Sequence, residues 1–552
     1  MNFMNNPDEE TAVAQFGKGD KYFGICTLLV TMPGLPMFGH GQIEGFEEKY
    51  GMEYNRAYKD ETPDWYMVDR HEREIFPLMK RRHVFSGSAD FCLYDFLGQD
   101  GNVNENVFAY SNRAGDERTL VFFNNSFDRA SGWIYRGAVP IPQKDGRTRQ
   151  DSLCQSLGLN GDDRFFVVFR EQRSGLWYIR SSKEIAERGL FAVLNGYEAQ
   201  VFLDIHQKED AENALPQTWE SRWSLLNHHL NGSGVTNLEE AALDILLGEL
   251  YAPFREILSK PRMETLAGLF AAHTQHTHTQ PQLPCSTEFI ESFKEPVIAF
   301  VTAAKKYLDG AGGKYSAWKG IGVKDNSDSK TAPPAKKARR GTSSASGDSD
   351  NPEKVWEGWA ANLKKFIEKF TPNKSAGNAD LSELAVFAMG YHALSLLKSV
   401  AACGGELAGL TAHWQLDRVI RECWESGGIS GGEIQRAADI AIAVLARANS
   451  KACEVDAKTK TPGDIAAAIV LENYDESDFR KILGVNRFDD VTWFNKEAFE
   501  TCLRLVPFFA SLESAAIAHG KTITAVTAAF RAAQELSGYR LDKLPEALTG
   551  KG

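Results

Sequence analysis

No apolar run in this sequence approaches the ~20 residues that a membrane-crossing helix needs. ICTLLV, among the apolar runs, has the length of a core segment. Basic charge is also short: 62 lysines and arginines stand against 74 acids, a net charge of −12. That balance argues against a nucleic-acid footprint. The eight cysteines (Cys26, Cys92, Cys154, Cys285, Cys403, Cys423, Cys453, Cys502) form no CxxC pair and no metal-finger spacing. Scattered thiols of this kind fit burial in a reducing cytosol. The first residues show no basic stretch leading into an apolar one, so a secretory signal is not expected and a cytoplasmic location is. GAGGKYS and SGGISGGE miss the G-x-x-x-x-G-K-[ST] phosphate loop, and GYHALS lacks the G-x-S-x-G frame of a nucleophile elbow. No fixed-period repeat runs through the chain.

What is present reads as several domains, about three or four at ~150 residues each. Residues 20–31, DKYFGICTLLVT, place Tyr22, Ile25, Cys26 and Leu29 on one helical stripe with Asp20 as a candidate N-cap. Pro33-Gly34 ends that helix, and Leu35–Phe38 predicts a short strand running into glycines. DWYMVDRHEREIFPLMKRRHVF is helical again, with Pro77 predicting a kink or restart. Strand, loop, helix, strand, loop, helix is the grammar of a parallel α/β unit. A glycine-ended strand suggests a functional loop at its C-terminal end.

From about residue 90 the period changes to two. FCLYDF, NVFAYSN, ERTLVFFNN, SGWIY, RFFVVF, LWYIRS and EAQVFLDI are short, aromatic and β-branched, with turns at Asp100-Gly101, Gly115-Asp116 and Ser174-Gly175. They predict an antiparallel β-sandwich over residues 90–208. Beyond about 215 the strand signal fades. SRWSLLNHHL, NLEEAALDILLGELYAPFREIL and ITAVTAAFRAAQEL predict helices in two regions, 215–309 and 353–552. Between these, 310–352 has almost no large apolar residues and predicts a disordered linker.

The opening NFMNNPDEE and the later TMPGLPMFGHGQIEGF together resemble the end of the catalytic barrel in the α-amylase family, glycoside hydrolase family 13. That family ends barrel strand seven with F-x-x-N-H-D and marks strand eight with P-G-x-P-x-x-Y-Y-G-x-E-I-G. The resemblance implies that residues 1–89 are strands 7–8 of a (β/α)8 barrel. Residues 90–208 would then be the C-terminal β-domain, and LGVNRFDDVTWFNKEAFE part of a helical tail carried by some large bacterial members. It implies Asp8 as a catalytic residue that orients sugar and stabilises the transition state, with Asn6, His40 and Glu44 binding substrate. It also implies α-glucan or oligosaccharide as the partner. Two positions depart from the pattern. Pro7 replaces the family's histidine, and His40-Gly41-Gln42-Ile43-Glu44-Gly45 shifts the strand-eight acid by one residue.

Retaining glycoside hydrolysis needs two carboxyl groups ~5–5.5 Å apart. In that family the nucleophile and acid/base come from strands four and five, which these motifs do not include. The resemblance therefore implies the C-terminal part of a hydrolase or transglycosylase, inactive alone and partnered by an N-terminal barrel polypeptide. A non-catalytic glucan-binding or protein-interaction module is the alternative. Neither reading calls for a cofactor or a metal. His273, His276 and His278 in HTQHTHTQ have chelating spacing but no nearby acid, so a polar loop is expected. Lys336, Lys337, Arg339 and Arg340 read as solvated tether, and Trp356, Trp359 and Trp424 as core aromatics. Asn124, Asn125 and Trp133 are weaker candidates for sugar contacts.

Overall fold

The structure is a computed structural model that describes residues 1–49, 56–142, 148–213, 218–275, 285–309, 351–369, 378–401, 404–429, 433–448, 470, 477–513 and 520–549. It divides into two compact units, Met1–Leu246 and Leu247–Gly552. Of the segment expected to be a disordered linker, residues 310–350 lie outside the described residues. So do His276, His278 and the lysine–arginine run.

The first unit opens with strand β1 (Asn2–Phe3), helices α1 (Ala12–Phe16) and α2 (Asp20–Thr31), and strand β2 (Pro36–Met37). β1 and β2 pair in parallel, Asn2 with Pro36 and Phe3 with Met37. The expected strand–helix–strand unit is therefore present, with α2 as its crossover. Asp20 stands one residue inside the helix instead of capping it, because Gly19 takes the extended cap conformation. As an acid in the first turn, Asp20 complements the helix dipole. The C-terminal end of α2 is held by Arg82, whose Nη1 donates to the Val30 carbonyl at 2.6 Å.

Helix α3 (Trp65–Arg70) passes into a π-turn at His71–Ile75 before α4 (Phe76–Met79) and α5 (Arg82–Phe85). Pro77 sits in the first positions of α4, where its missing N–H costs no helical bond. The restart expected at Pro77 is thus where one helix geometry gives way to another.

Eight antiparallel strands follow: β3 (Cys92–Gly98), β4 (Val107–Ala114), β5 (Glu117–Asn124), β6 (Ala130–Gly137), β9 (Phe165–Glu171), β10 (Trp177–Ser181), β11 (Leu190–Leu194) and β12 (Ala199–Glu209). Strands β7 (Ile141–Pro142) and β8 (Thr148–Arg149) form a separate small ribbon. All seven expected strand segments are found, and β11 is an addition.

The arrangement differs from a sandwich of two sheets. The eight strands form one continuous, curled sheet in the order β10-β9-β12-β5-β4-β3-β6-β11. Strand β12 is the reason. It pairs with β5 through Ala199–Phe202 and with β9 through Phe202–Glu209, with an irregularity between Leu203 and His206. Asp204, at φ 55°, sits in that irregularity. One long bent strand thus serves both halves of the sheet, as a bulge permits.

Alternation fills both faces. Phe96, Phe122, Ile134, Val167, Phe169 and Leu194 share one cluster with their neighbours across the sheet. On the other face, Tyr110, Val121, Val201 and Leu203 pack with Tyr22, Phe23 and Cys26 of α2. Phe166, Val168 and Ile179 pack with Trp223 and Leu226 of the helix Arg222–Leu230. The closeness of α2 to the sheet depends on Gly24, where a Cβ would lie 1.9 Å from Cε2 of Phe123.

The second unit is mainly helical, as its sequence pattern predicts. Among its helices are Gly248–Ile257, Lys294–Asp309, Pro352–Lys369, Asn378–Ser395, Leu416–Ser426, Glu433–Ala448 and Lys496–Glu513. Trp356, Trp359 and Trp424 are all buried core residues. One segment read as helical tail departs from that reading, because Asn486–Phe488 and Val491–Trp493 pair as a hairpin. Asp489 and Asp490 turn it at φ 46° and 60°, the left-handed values that two-residue hairpin loops require.

Candidate functional site

The C-terminal ends of β1 and β2 carry two loops, and these lie side by side. The first, Met4–Glu10, is shaped by local amide chemistry. Asn6 Oδ1 accepts from the Asp8 amide at 2.8 Å, a side-chain turn that projects Pro7 and Asp8 outward. Asp8, Glu9 and Glu10 are all exposed. The second loop, Phe38–Phe46, is built on glycines that accept left-handed backbone, Gly41 at φ 67° and Gly45 at φ 76°.

Asn5 and Gly39 bring the loops together. A Cβ on Gly39 would lie 2.6 Å from the Asn5 side-chain nitrogen, so any larger residue there would have to displace the Asn5 amide. Lys49 then reaches across and donates from Nζ to the Asp8 carbonyl at 3.0 Å. The structure thus places Asn6 and Asp8 on one loop, and His40 and Glu44 on the loop beside it. His40 is exposed and edge-on to Phe46, with ring centroids 6.4 Å apart. Glu44 is half-buried, and its backbone carbonyl accepts from the Asp64 amide at 2.9 Å.

Several residues that the sequence reading passed over hold this rim. Gln42 is buried, and its Oε1 accepts from the Gly39 amide at 2.9 Å. The Gln42 carbonyl accepts from the Tyr22 hydroxyl at 2.9 Å. Tyr22 in turn lies 3.1 Å from Nε2 of His71, whose Nδ1–H donates to the Met67 carbonyl at 2.7 Å. The second loop is therefore pinned to the crossover helix α2 and, through His71, to the π-turn. Burial pushes the His71 pKa below its ordinary value, so the ring sits neutral. Asn5 is also buried, and its Oδ1 has no hydrogen-bond partner. An unsatisfied buried amide oxygen at a loop junction is a ready acceptor for a ligand hydroxyl.

Beside the rim, a buried charge network braces α3. Arg70 Nε donates to Glu74 at 2.8 Å, and its Nη2 donates to Asp20 at 2.6 Å. Its guanidinium also lies over the Phe23 ring, 4.1 Å from the centroid. Glu74 takes further ion pairs from Arg73 at 3.4 Å and Arg173 at 3.2 Å. This network ties α2, α3 and the β9–β10 turn into one framework. Among the described residues no cluster of histidine, cysteine and carboxylate groups could hold a metal ion. None of the helices described is long and apolar enough to cross a membrane.

The first unit thus joins a parallel strand–helix–strand rim to a curled antiparallel sheet. No family model matches the chain, and no curated protein matches it. Among solved structures it is similar to the α-amylase of Geobacillus thermoleovorans, determined in complex with acarbose. The match has 14% identity and a TM-score of 0.25, and covers 38% of this chain and 39% of the other. The chain therefore spans well under half the length of that enzyme.

Proposed function

We propose that the first unit is the closing part of an α-amylase-type barrel with its β-domain, and that it serves a glycoside hydrolase or transglycosylase acting on α-glucan. The observation that carries this reading is the parallel β1–α2–β2 unit, whose two C-terminal loops meet at Asn5 and Gly39. Ligands of such barrels are bound at the C-terminal ends of the strands. In this reading Asp8 accepts hydrogen bonds from sugar hydroxyls, strengthening them as the ring flattens toward an oxocarbenium-like state. Asn6, His40 and Glu44 contact the sugar on either side. The nucleophile and the acid/base come from a partner polypeptide carrying the earlier barrel strands, so this chain alone is inert.

The test is reconstitution. The full chain is mixed with a polypeptide supplying those strands, and release of reducing ends from amylose is followed. Turnover with the wild-type chain and none with Asp8→Asn is the expected result. Turnover retained by Asp8→Asn removes the assignment.

A second reading has one observation in its favour. Trp133 and Phe191 form an aromatic pair on adjacent strands, with centroids 5.1 Å apart, and Phe191 is 39% exposed. Such a pair offers a stacking platform for sugar rings, as a non-catalytic glucan-binding module would use. Maltoheptaose binding by the full chain separates the two. Loss on Phe191→Ala with no change on Asp8→Asn favours the module.

A further inference from the structure

A cavity of about 500 Å³ opens where the curled sheet fails to close, and both edge strands, β10 and β11, contribute to its wall. Eight-stranded sheets that curl toward a barrel leave an interior that side chains fill or that holds one small ligand. The lining here is largely aromatic. Phe122, Phe169 and Phe202 are buried, and Tyr178 stacks on Phe169 with centroids 5.8 Å apart. Phe202 stands edge-on to Phe122, Phe169 and Tyr178 at 6.2, 5.1 and 6.0 Å.

Arg180 is the exception in that wall. It follows Tyr178 by two positions on β10, so its side chain shares the concave face with the aromatic cluster. Nη1 donates to the Ile179 carbonyl at 2.8 Å and Nη2 to the Gly232 carbonyl at 3.2 Å, while the guanidinium carbon lies 6.0 Å from the Phe169 centroid. Among the described residues no carboxylate comes within ion-pair distance of it, and Glu184 acts on it only through space. Burial pulls its pKa below the ordinary value, the direction of a cation whose charge its surroundings do not offset.

The other polar side chains of the wall are engaged. Glu171 accepts the Arg173 amide at 3.1 Å on one oxygen and the Ser174 amide at 2.6 Å on the other. Glu198 accepts from the backbone and side chain of Asn195 on one oxygen and from Gln200 Nε2 on the other. That Gln200 nitrogen donates to the Val193 carbonyl as well. The Tyr178 hydroxyl bonds to Ser174, whose Oγ also accepts from the Leu176 amide. Arg173 pairs through Nε with Glu74, and its Nη2 has no hydrogen-bond partner. Beyond the Gln200 Oε1, what the wall leaves unspent is donor capacity on two guanidinium groups, with the charge unpaired on Arg180.

We propose that this cavity binds a small aromatic monocarboxylate, its carboxylate on the Arg180 guanidinium and its ring against Phe169, Tyr178 and Phe202. A planar guanidinium fork matches the two oxygens of a carboxylate. One unpaired cation calls for one negative charge, and a dianion would also face Glu171 and Glu198. Rings already packed edge to face offer a flat aromatic body the contacts it prefers, and the volume suits such a ligand.

The test is calorimetric titration of the full chain with 2-naphthoate, with 2-naphthol as the uncharged analogue at neutral pH. One saturable site for the naphthoate is expected, with the naphthol weaker by about tenfold or more. Arg180→Met should bring naphthoate down to the affinity of naphthol and leave naphthol unchanged, a split that a merely structural arginine would not give. Ala192→Leu, on β11, fills the cavity and should weaken both ligands. Circular dichroism checks that the variants fold, and if Arg180→Met does not, the wild-type pair of ligands and Ala192→Leu decide the matter. Equal affinity of the wild type for both ligands, wild-type binding by Ala192→Leu, or absence of saturable heat overturns the proposal.

Discussion

The Tyr22 hydroxyl stands between two acceptors. The Gln42 carbonyl lies 2.9 Å away on one side and Nε2 of His71 3.1 Å away on the other. Because Nδ1–H of His71 is committed to the Met67 carbonyl, a neutral ring leaves one hydroxyl proton for two acceptors. Tyr22→Phe removes that proton and leaves both acceptors buried. A loss of about 1–3 kcal/mol in unfolding free energy is expected, measured by urea denaturation. A loss of maltoheptaose affinity should accompany it if the loop carrying His40 and Glu44 relaxes.

The pH dependence of the same pair has a definite sign. Burial lowers the His71 pKa in the folded state, while an unfolded histidine titrates near ~6.5. Below that value the unfolded chain binds more protons than the folded one, so stability falls as pH falls. The contribution is whole above pH ~6.5 and is lost in the window between ~6.5 and the lowered folded value. Denaturation midpoints across this window check it, with His71→Gln expected to flatten the dependence.

His392 shows the same sign in the helical unit. Burial, with the Lys398 charge adding to it, pushes its pKa down to about 4. Stability of that unit should decline as pH drops from about 6.5 to about 4, by up to ~3 kcal/mol at ~1.4 kcal/mol per unit. His392→Phe should remove that slope.

Gly24→Ala tests how closely α2 is packed. The new methyl would meet the Phe123 ring at 1.9 Å, and a fully buried ring on the sheet has nowhere to move. Overpacking of this kind costs about 1–3 kcal/mol, although alanine is the better helix former. A thermal melt that stays level would show that the sheet yields.

Asp8→Asn makes the opposite prediction. The side chain is exposed, so stability should change by no more than about 0.5 kcal/mol. Any activity of a reconstituted enzyme should vanish. A thermal melt and an amylose assay on one preparation check both halves.

Much of the first unit was legible because its elements are half-buried and carry their period openly. ERTLVFFNN and RFFVVF became β5 and β9, and Pro77 marked a helix restart. Strand β11 was missed because LFAVL is entirely apolar, without the alternation that distinguishes a strand. The single sheet was not visible because one bent strand, β12, decides it, and no local pattern announces which two partners a strand will take. The hairpin at Asp489-Asp490 escaped because left-handed backbone there falls on aspartates and not on glycine. At the rim, the motif residues Asn6, Asp8, His40 and Glu44 could be read, but their supports could not. Asn5 and Gln42 matter through contacts made by residues 20 or more positions away, as with Tyr22, and only folding creates those.

The π-turn at His71–Ile75 makes residue number locally adjustable. An α-helix advances ~100° per residue, whereas the wider π-turn winds more slowly and absorbs one extra residue within a turn. Deleting one residue there should restore α-helical winding with little rotation downstream, so Arg81, which reaches Asp204 at 2.7 Å, and Arg82, which clamps the end of α2, should keep their partners. The stretch therefore works as a slack link. Homologous sequences aligned across it should tolerate a single-residue gap more readily than the regular helices on either side.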